Sequence, residues 1–289
     1  MKIIHISDLH FPVAISISRL GFSKRLIGYL NFVLRRKKLH PLEAAEMMVS
    51  KIRNEQYDLL IISGDITNVG HDDEFAAARR ILSPILNKKS FVIPGNHDRY
   101  VPDSVSPADL FFRHFEEFAG TPVPGSIPDY LRTAKIGGIT VVGMDSNSPR
   151  GMVDASGEIS PSALKKYSDY IKSLNDPYIL TAHHPVWNPP EKQESVYHKL
   201  LNREEFLTEI RKNPPMAYFH GHVHTNWIRK KDSEIPFLIS NAASSTRDTD
   251  RSHLCGFHIL DLQKDSFSVQ RISYSKTKKS LSLKDPVVY

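Results

Sequence analysis

The 289-residue sequence predicts a layered α/β protein with a second sheet packed on the first. Three observations predict it. Short β-branched runs alternate with longer amphipathic ones as far as His224, and after it only strands follow. Every polar cluster with chemical promise also falls directly behind a strand. Loops at the carboxyl ends of strands in open α/β sheets converge on a common crevice, so these strands deliver their polar residues to one place.

Residues 2–7 (KIIHIS), 58–63 (DLLIIS), 90–94 (SFVIP), 139–145 (ITVVGMD), 178–182 (YILTA) and 216–220 (MAYFH) read as buried strands. Between them, 41–55 opens with proline and carries Leu42, Ala45, Met48, Val49 and Ile52 at helical spacing. Residues 72–86, 107–119, 160–174 and 202–212 also read as helices. The closing strands are 227–231, 236–240, 256–262 and 267–274, expected as a separate block forming the second sheet. Residues 1–275 thus form one domain, and 276–289 a polar tail expected to be mobile.

The formal charge is +6 and the pI about 9.2, which raises the question of nucleic acid. The excess is local. Arg19, Lys24, Arg25, Arg35, Arg36, Lys37 and Lys38 lie between Leu9 and Leu42 with no acid among them. Setting these seven aside leaves 31 of the 38 basic residues against 32 acidic ones. Nucleic acid is therefore a weak expectation. The single cysteine, Cys255, precludes an intramolecular disulfide and fits a reducing compartment. The N-terminus lacks a signal-peptide layout and no apolar run is long enough to span a membrane. The expected location is cytoplasmic, with peripheral contact at the inner face of a membrane open as an addition.

The residue types behind the strands are metal ligands. Asp8 and His10 follow the first strand, Asp65 the second, Asn96 and His97 the third, His183 and His184 the fifth, and His220, His222 and His224 the sixth. Imidazole with carboxylate suits zinc, iron or manganese, whereas an all-oxygen site would suit magnesium or calcium. No cysteine lies in these clusters, so a structural thiolate zinc site is excluded. Even seven of these ten would be too many for one tetrahedral ion and about right for two ions sharing a carboxylate. Such a pair, roughly 3.5–4 Å apart, clamps both oxygens of a displacement at phosphorus and lowers the pKa of bound water.

The series Asp8-x-His10, Gly64-Asp65-x-x-Asn68, Gly95-Asn96-His97-Asp98, His183 before a proline, and Gly221-His222-x-His224 resembles the calcineurin-like metallophosphoesterase family. The resemblance spans residues 8–224 and keeps all five blocks in the family's order. It implies a four-layer α/β/β/α sandwich, two facing mixed β-sheets flanked by helices. It implies one metal on Asp8, His10 and His224, another on Asn96, His183 and His222, and Asp65 bridging them. His97 matches the family histidine that contacts the scissile phosphate and assists the leaving group. His184 competes with His183, and the family pattern favours the first of the pair. Asn68 fits second-layer support, Asp98 a turn cap or an orienter of His97, and Arg99 and Tyr100 substrate contact. His220 is expected to hydrogen-bond rather than ligate, and the remaining histidines to be ordinary.

The segment 13–40 leaves the first block at the rim of the site. Leu26, Ile27, Leu30, Val33 and Leu34 fall at helical spacing behind Ser23, a capping residue, and Phe22, Tyr29 and Phe32 widen the apolar surface. A core-packed helix and a lid or lipid-contacting helix are both open.

The departures from family subgroups narrow the function. Residues 64–70 read GDITNVG and Asp98 follows Asn-His, unlike the family's protein phosphatases, and His97 stands where UDP-diacylglucosamine hydrolases typically carry arginine. The pattern is similar to small bacterial phosphodiesterases, including those acting on cyclic nucleotides. The leading expectation is a phosphodiesterase or phosphomonoesterase using a metal-activated hydroxide. The alternatives are a membrane-surface pyrophosphatase of a nucleotide-linked lipid such as a UDP-diacylglucosamine, and a binding scaffold without catalysis.

Overall fold

Strand β1 (Lys2–Ile6) divides its side chains between two cores, and that division organises the molecule. Ile4 and Ile6 enter one apolar cluster and Ile3 another, as period-two alternation requires. The protein is described here by a computed structural model covering residues 1–20, 23–124, 131–242, 244–250, 253–263 and 266–288.

In the first sheet β1 pairs in parallel with β2 (Leu59–Ile62), which pairs in parallel with β3 (Ser90–Val92). On its other side β1 is antiparallel to β11 (Phe257–Leu262), followed by β12 (Phe267–Ser275) and β13 (Ser280–Leu283), with β14 (Val287–Val288) also on β12. The second sheet runs β4 (Thr121–Pro122), β5 (Leu131–Ile136), β6 (Ile139–Met144), β7 (Tyr178–Thr181), β8 (Ala217–His220), β10 (Leu238–Asn241), β9 (Trp227–Arg229). Its central strands, β6, β7, β8 and β10, are mutually parallel.

The four layers follow from which side chains meet. Helices α2 (Leu42–Arg53), α3 (Asp72–Leu82) and α4 (Leu110–Phe115) set Met48, Ile52, Phe75 and Phe111 against Ile4, Ile6, Leu60 and Ile62. Helices α5 (Pro161–Ser173) and α6 (Arg203–Lys212) set Tyr167, Ile171, Phe206 and Ile210 against Val142, Leu180 and Tyr218. Between the sheets Ile3, Ile61 and Phe91 meet Val141, Ile179 and Phe219. Strands buried on both faces explain the unbroken apolar runs of the sequence.

Several expectations need correction. The closing strands are not one block: β9 and β10 complete the second sheet, and β11 and β12 return to the first. The strand β5, LRTAKI, was not foreseen because polar residues interrupt its apolar ones. The segment 276–289, expected as a mobile tail, contains two paired strands. Serine and leucine alternate through β13, and Leu281 packs against the core. Helix α3 stops four residues short of the expected 86, just before Ser83-Pro84.

Helix α1 (Lys24–Asn31) is capped by Ser23, whose Oγ accepts from Arg25 N, and continues into a π-helical turn, Phe32–Arg36. Its packed face is not the expected stripe. Tyr29 and Phe32 are buried with Ile15, Leu20 and Val69, and Leu26 packs beside them. The Arg25 guanidinium donates to Val69 O, Gly70 O and Ser104 Oγ. Ile27, Leu30, Val33 and Leu34 are exposed. Phe22 lies outside the described residues. Among the described residues no helix is long and apolar enough to cross a membrane.

Candidate metal centre

Because β1, β2, β3, β7 and β8 run parallel within their sheets, each presents its C-terminal end to a loop carrying a predicted ligand. The two sheets bring those loops together. Asp8, His10, Asp65 and His224 offer ligand atoms all within 4.8 Å of one another. His224 Nε2 is 3.3 Å from Asp8 Oδ1 and 3.4 Å from His10 Nε2. Asp65 Oδ2 is 3.6 Å from His10 Nε2 and 3.4 Å from His183 Nε2, so one oxygen stands between two groups of donors. Beyond it, Asn96 Oδ1 lies 3.2 Å from His183 Nε2 and 3.0 Å from His222 Nδ1.

The backbone is strained at these residues. Asp8, His10, Asp65, His222 and His224 all have φ between 43° and 75°, in the left-handed region that non-glycine residues rarely adopt. Among the described residues only Ser244 and Lys279 share that property outside glycine. Strain gathered on five predicted ligands marks a functional cluster. The neighbouring glycines have a steric reason. A Cβ at Gly95 would collide with Asp65, and one at Gly221 with Ser7 and Asp8.

Hydrogen bonds select the tautomers. His10 Nδ1 donates to Thr67 O at 3.0 Å and His183 Nδ1 to Ser63 O at 2.8 Å, leaving the Nε2 lone pairs turned inward. His222 is reversed: Nε2 donates to His198 O at 2.6 Å, so Nδ1 faces Asn96. Imidazole lone pairs and amide or carboxylate oxygens thus face one another at 3.0–3.6 Å, an arrangement of acceptors that cations resolve. Burial, with neighbouring histidines, holds His10 and His222 well below the ordinary imidazole range, so they stay neutral. Burial also opposes charge on His183, yet the Asp65 carboxylate pushes it up to about 9. Without a cation its Nε2 therefore holds a proton, which a bound metal would displace to free the lone pair. The donor set fits two borderline metal ions.

His97 sits beside this cluster. Its backbone N–H donates to Asp65 Oδ1 at 2.8 Å, its ring Nδ1 meets Asn68 O at 2.6 Å, and the ring stands edge-on to His10. Asn68 Nδ2 donates to Phe11 O, so Asn68 supports His97 from behind. Asp98 ties two ligand loops together, accepting from Gly95 N, Ile66 N, Thr67 N and Thr67 Oγ1. Burial and the Asp65 charge push its carboxyl up to about 6 against those donors.

His184 is pinned behind the site, with Nδ1 on Ser146 Oγ and Nε2 on Ala155 O, while His183 faces the cluster. His220 bonds Gly221 O. Arg99 lines the cleft, although it is 2% exposed and its guanidinium is paired with Asp145 and Asp109. Tyr100 stacks on His97 and lines the cleft. That cleft, about 250 Å³, is also walled by Lys24, Asn31, Arg150, Met152 and Val153, and it meets a second of about 470 Å³ over Asp65, His222 and His224. The orienting carbonyls of Ser63, Thr67 and His198 left no trace in sequence, since backbone oxygens belong to every residue. Lys24 was visible only as one base of the insert.

The family model described as calcineurin-like phosphoesterase matches residues 1–226. Among solved structures the chain is similar to a dimetal phosphatase from Danio rerio, at 14% identity and a TM-score of 0.59, covering 93% of this chain and 94% of that one. It is also similar to purple acid phosphatase PPD1 from yellow lupin, at 11% identity and a TM-score of 0.61, covering 99% of this chain and 53% of that one. These likenesses show the fold. No curated protein sequence matches the chain.

Proposed function

The chain belongs to the calcineurin-like phosphoesterase family, and on that premise we propose that it hydrolyses phosphate esters at a dinuclear centre. Asp8, His10 and His224 would hold one ion, Asn96, His183 and His222 the other, and Asp65 both. Manganese, iron or zinc suits this mixture of imidazole, carboxylate and amide. Bound there, the two ions supply an activated water and draw charge from the phosphoryl oxygens. His97 donates a hydrogen bond or proton to the leaving oxygen, held in place by Asp65, Asn68 and Tyr100. Lys24 and Arg150, on the wall of the adjoining cleft, suit the anionic remainder of a substrate.

The observation that carries this reading is the facing of imidazole lone pairs and acceptor oxygens on left-handed backbone. A cytoplasmic phosphodiesterase or phosphomonoesterase is the form we favour. The cleft's exposed apolar wall residues, Met152 and Val153, favour one second reading, a nucleotide-linked lipid pyrophosphate such as a UDP-diacylglucosamine as substrate.

The test is hydrolysis of bis-p-nitrophenyl phosphate by metal-stripped protein with manganese, iron or zinc restored, beside His97→Ala and Asp65→Asn. Metal-dependent turnover that both substitutions depress supports the proposal. Failure to bind two ions sinks it.

A further inference from the structure

Helix α1 presents three different faces. Lys24, Gly28, Asn31 and Phe32 line the cleft, Arg25 and Tyr29 are buried, and Ile27, Leu30 and Leu34 point outward at i, i+3 and i+7. The outward residues are large and unusually bare: Leu34 is 76% exposed and Ile27 53%. Across the cleft mouth the loop carrying Met152 and Val153 adds two more, Val153 at 75%. Lys24 Nζ joins the two walls, donating to Tyr100 O and Arg150 O. Apolar residues therefore flank the entrance to the metal centre on both sides.

The charge around this rim is mainly positive, with Asp154 as an acid of the cleft wall. Lys37 and Lys38 are exposed at the end of the helical segment, and there is no acid between Leu9 and Leu42. The fold then brings a second basic cluster to the first. Lys276 Nζ donates to Lys38 O at 3.5 Å, and exposed Lys278 and Lys279 share its turn between β12 and β13. The acids near the helix each face a base of the same segment: Asp73 pairs with Arg19, the exposed Asp103 with Arg25, and Asp154 lies near Lys24.

We infer that this rim docks on an anionic lipid bilayer, with α1 lying in the interface and the cleft mouth turned toward the headgroups. Isoleucine, leucine and valine enter the acyl boundary while lysines from two distant segments meet phosphate headgroups. Helix α1 and its continuation span 13 residues, about 20 Å at 1.5 Å per residue, which suits an interfacial anchor rather than a span. The inference deepens the proposed function by naming the surface on which the same site meets its substrate, and it rests on that reading only for the chemistry.

The experiment is co-sedimentation of the metal-loaded full chain with vesicles of phosphatidylcholine alone and of phosphatidylcholine with about one-third phosphatidylglycerol. The expected result is pelleting with the anionic vesicles only, reversed by salt. Leu30→Ser with Leu34→Ser, and separately Lys276→Glu with Lys278→Glu and Lys279→Glu, should each weaken partitioning about tenfold or more. Both variants should keep wild-type turnover of soluble bis-p-nitrophenyl phosphate. Pelleting is read without turnover, so an inactive protein that binds vesicles would count against the proposed function and not against docking. Absence of pelleting with either vesicle overturns the inference. So does pelleting that both variants retain, or a dimer that the leucine variant splits without altering vesicle binding.

Discussion

The His97 and Tyr100 rings stack with centroids 5.5 Å apart and planes 10° from parallel. Lys24 Nζ lies 4.0 Å over the same Tyr100 ring, and Gly28 is where α1 crosses the phenol. A line of contact thus runs from the insert helix through one aromatic ring to His97, the residue proposed to assist the leaving group.

Gly28→Ala tests that line. The new Cβ would run into Tyr100 Oη and sit 2.9 Å from its Cζ. Alanine favours the helix by about 1 kcal/mol, which offsets part of the strain, so global stability should change little. The displaced ring should misplace His97 and lower kcat about tenfold with KM less affected. Steady-state kinetics beside a melting curve will separate the two effects.

Asp98→Ala should act on stability first. The carboxylate accepts from three backbone N–H groups and one hydroxyl in a fully buried setting. Orphaning them should cost about 3 kcal/mol or more in urea unfolding. Because Asp98 joins the loops carrying Asp65 and Asn96, the variant should also bind metal more weakly, as titration calorimetry would show.

Metal removal should destabilise the protein as well as silence it. Without cations the buried His10 and His222 nitrogens and the Asp8 and Asn96 oxygens face one another with no cation to satisfy them. Ions binding only the folded chain stabilise it by about 4 kcal/mol at a thousandfold excess over Kd. Stripping with a chelator should therefore lower the melting temperature, and restoring manganese or zinc should raise it again.

Acid should weaken the fold through the core behind the site. His258 bonds Ser240 and Asn226, and His5 bonds Ser240 and Ser63, all buried between the sheets. Burial, with Arg271, lowers His258 to about 3. Its folded pKa lies below its unfolded one, so the stability tied to the neutral ring is intact above the unfolded value. It is lost as pH falls from about 6.5, at about 1.4 kcal/mol per unit. Between pH 7 and 5 the His258→Gln variant should lose about 2 kcal/mol less than the wild type in urea unfolding.

The candidate ligand set could be proposed without coordinates because its chemistry is narrow. Asp8, His10, Asp65, Asn96, His183, His222 and His224 stand behind strands whose buried apolar runs are unmistakable, beside glycines that clear space for carboxylates. Local residue type and spacing carry that information. Other features depend on what lies across the fold. His183 rather than His184 faces the centre because Ser146 and Ala155 hold the second ring. Arg99 is held by Asp109, ten residues on, and by Asp145, 46 residues on. The apolar stripe of α1 faces outward because Tyr29, Phe32 and the Arg25 guanidinium fill the available groove more completely. Lys38 gains Lys276 as a neighbour only through the pairing of β11, β12 and β13. A single helix or strand offers several faces of comparable hydrophobicity, and the partner that closes over one of them decides which is buried.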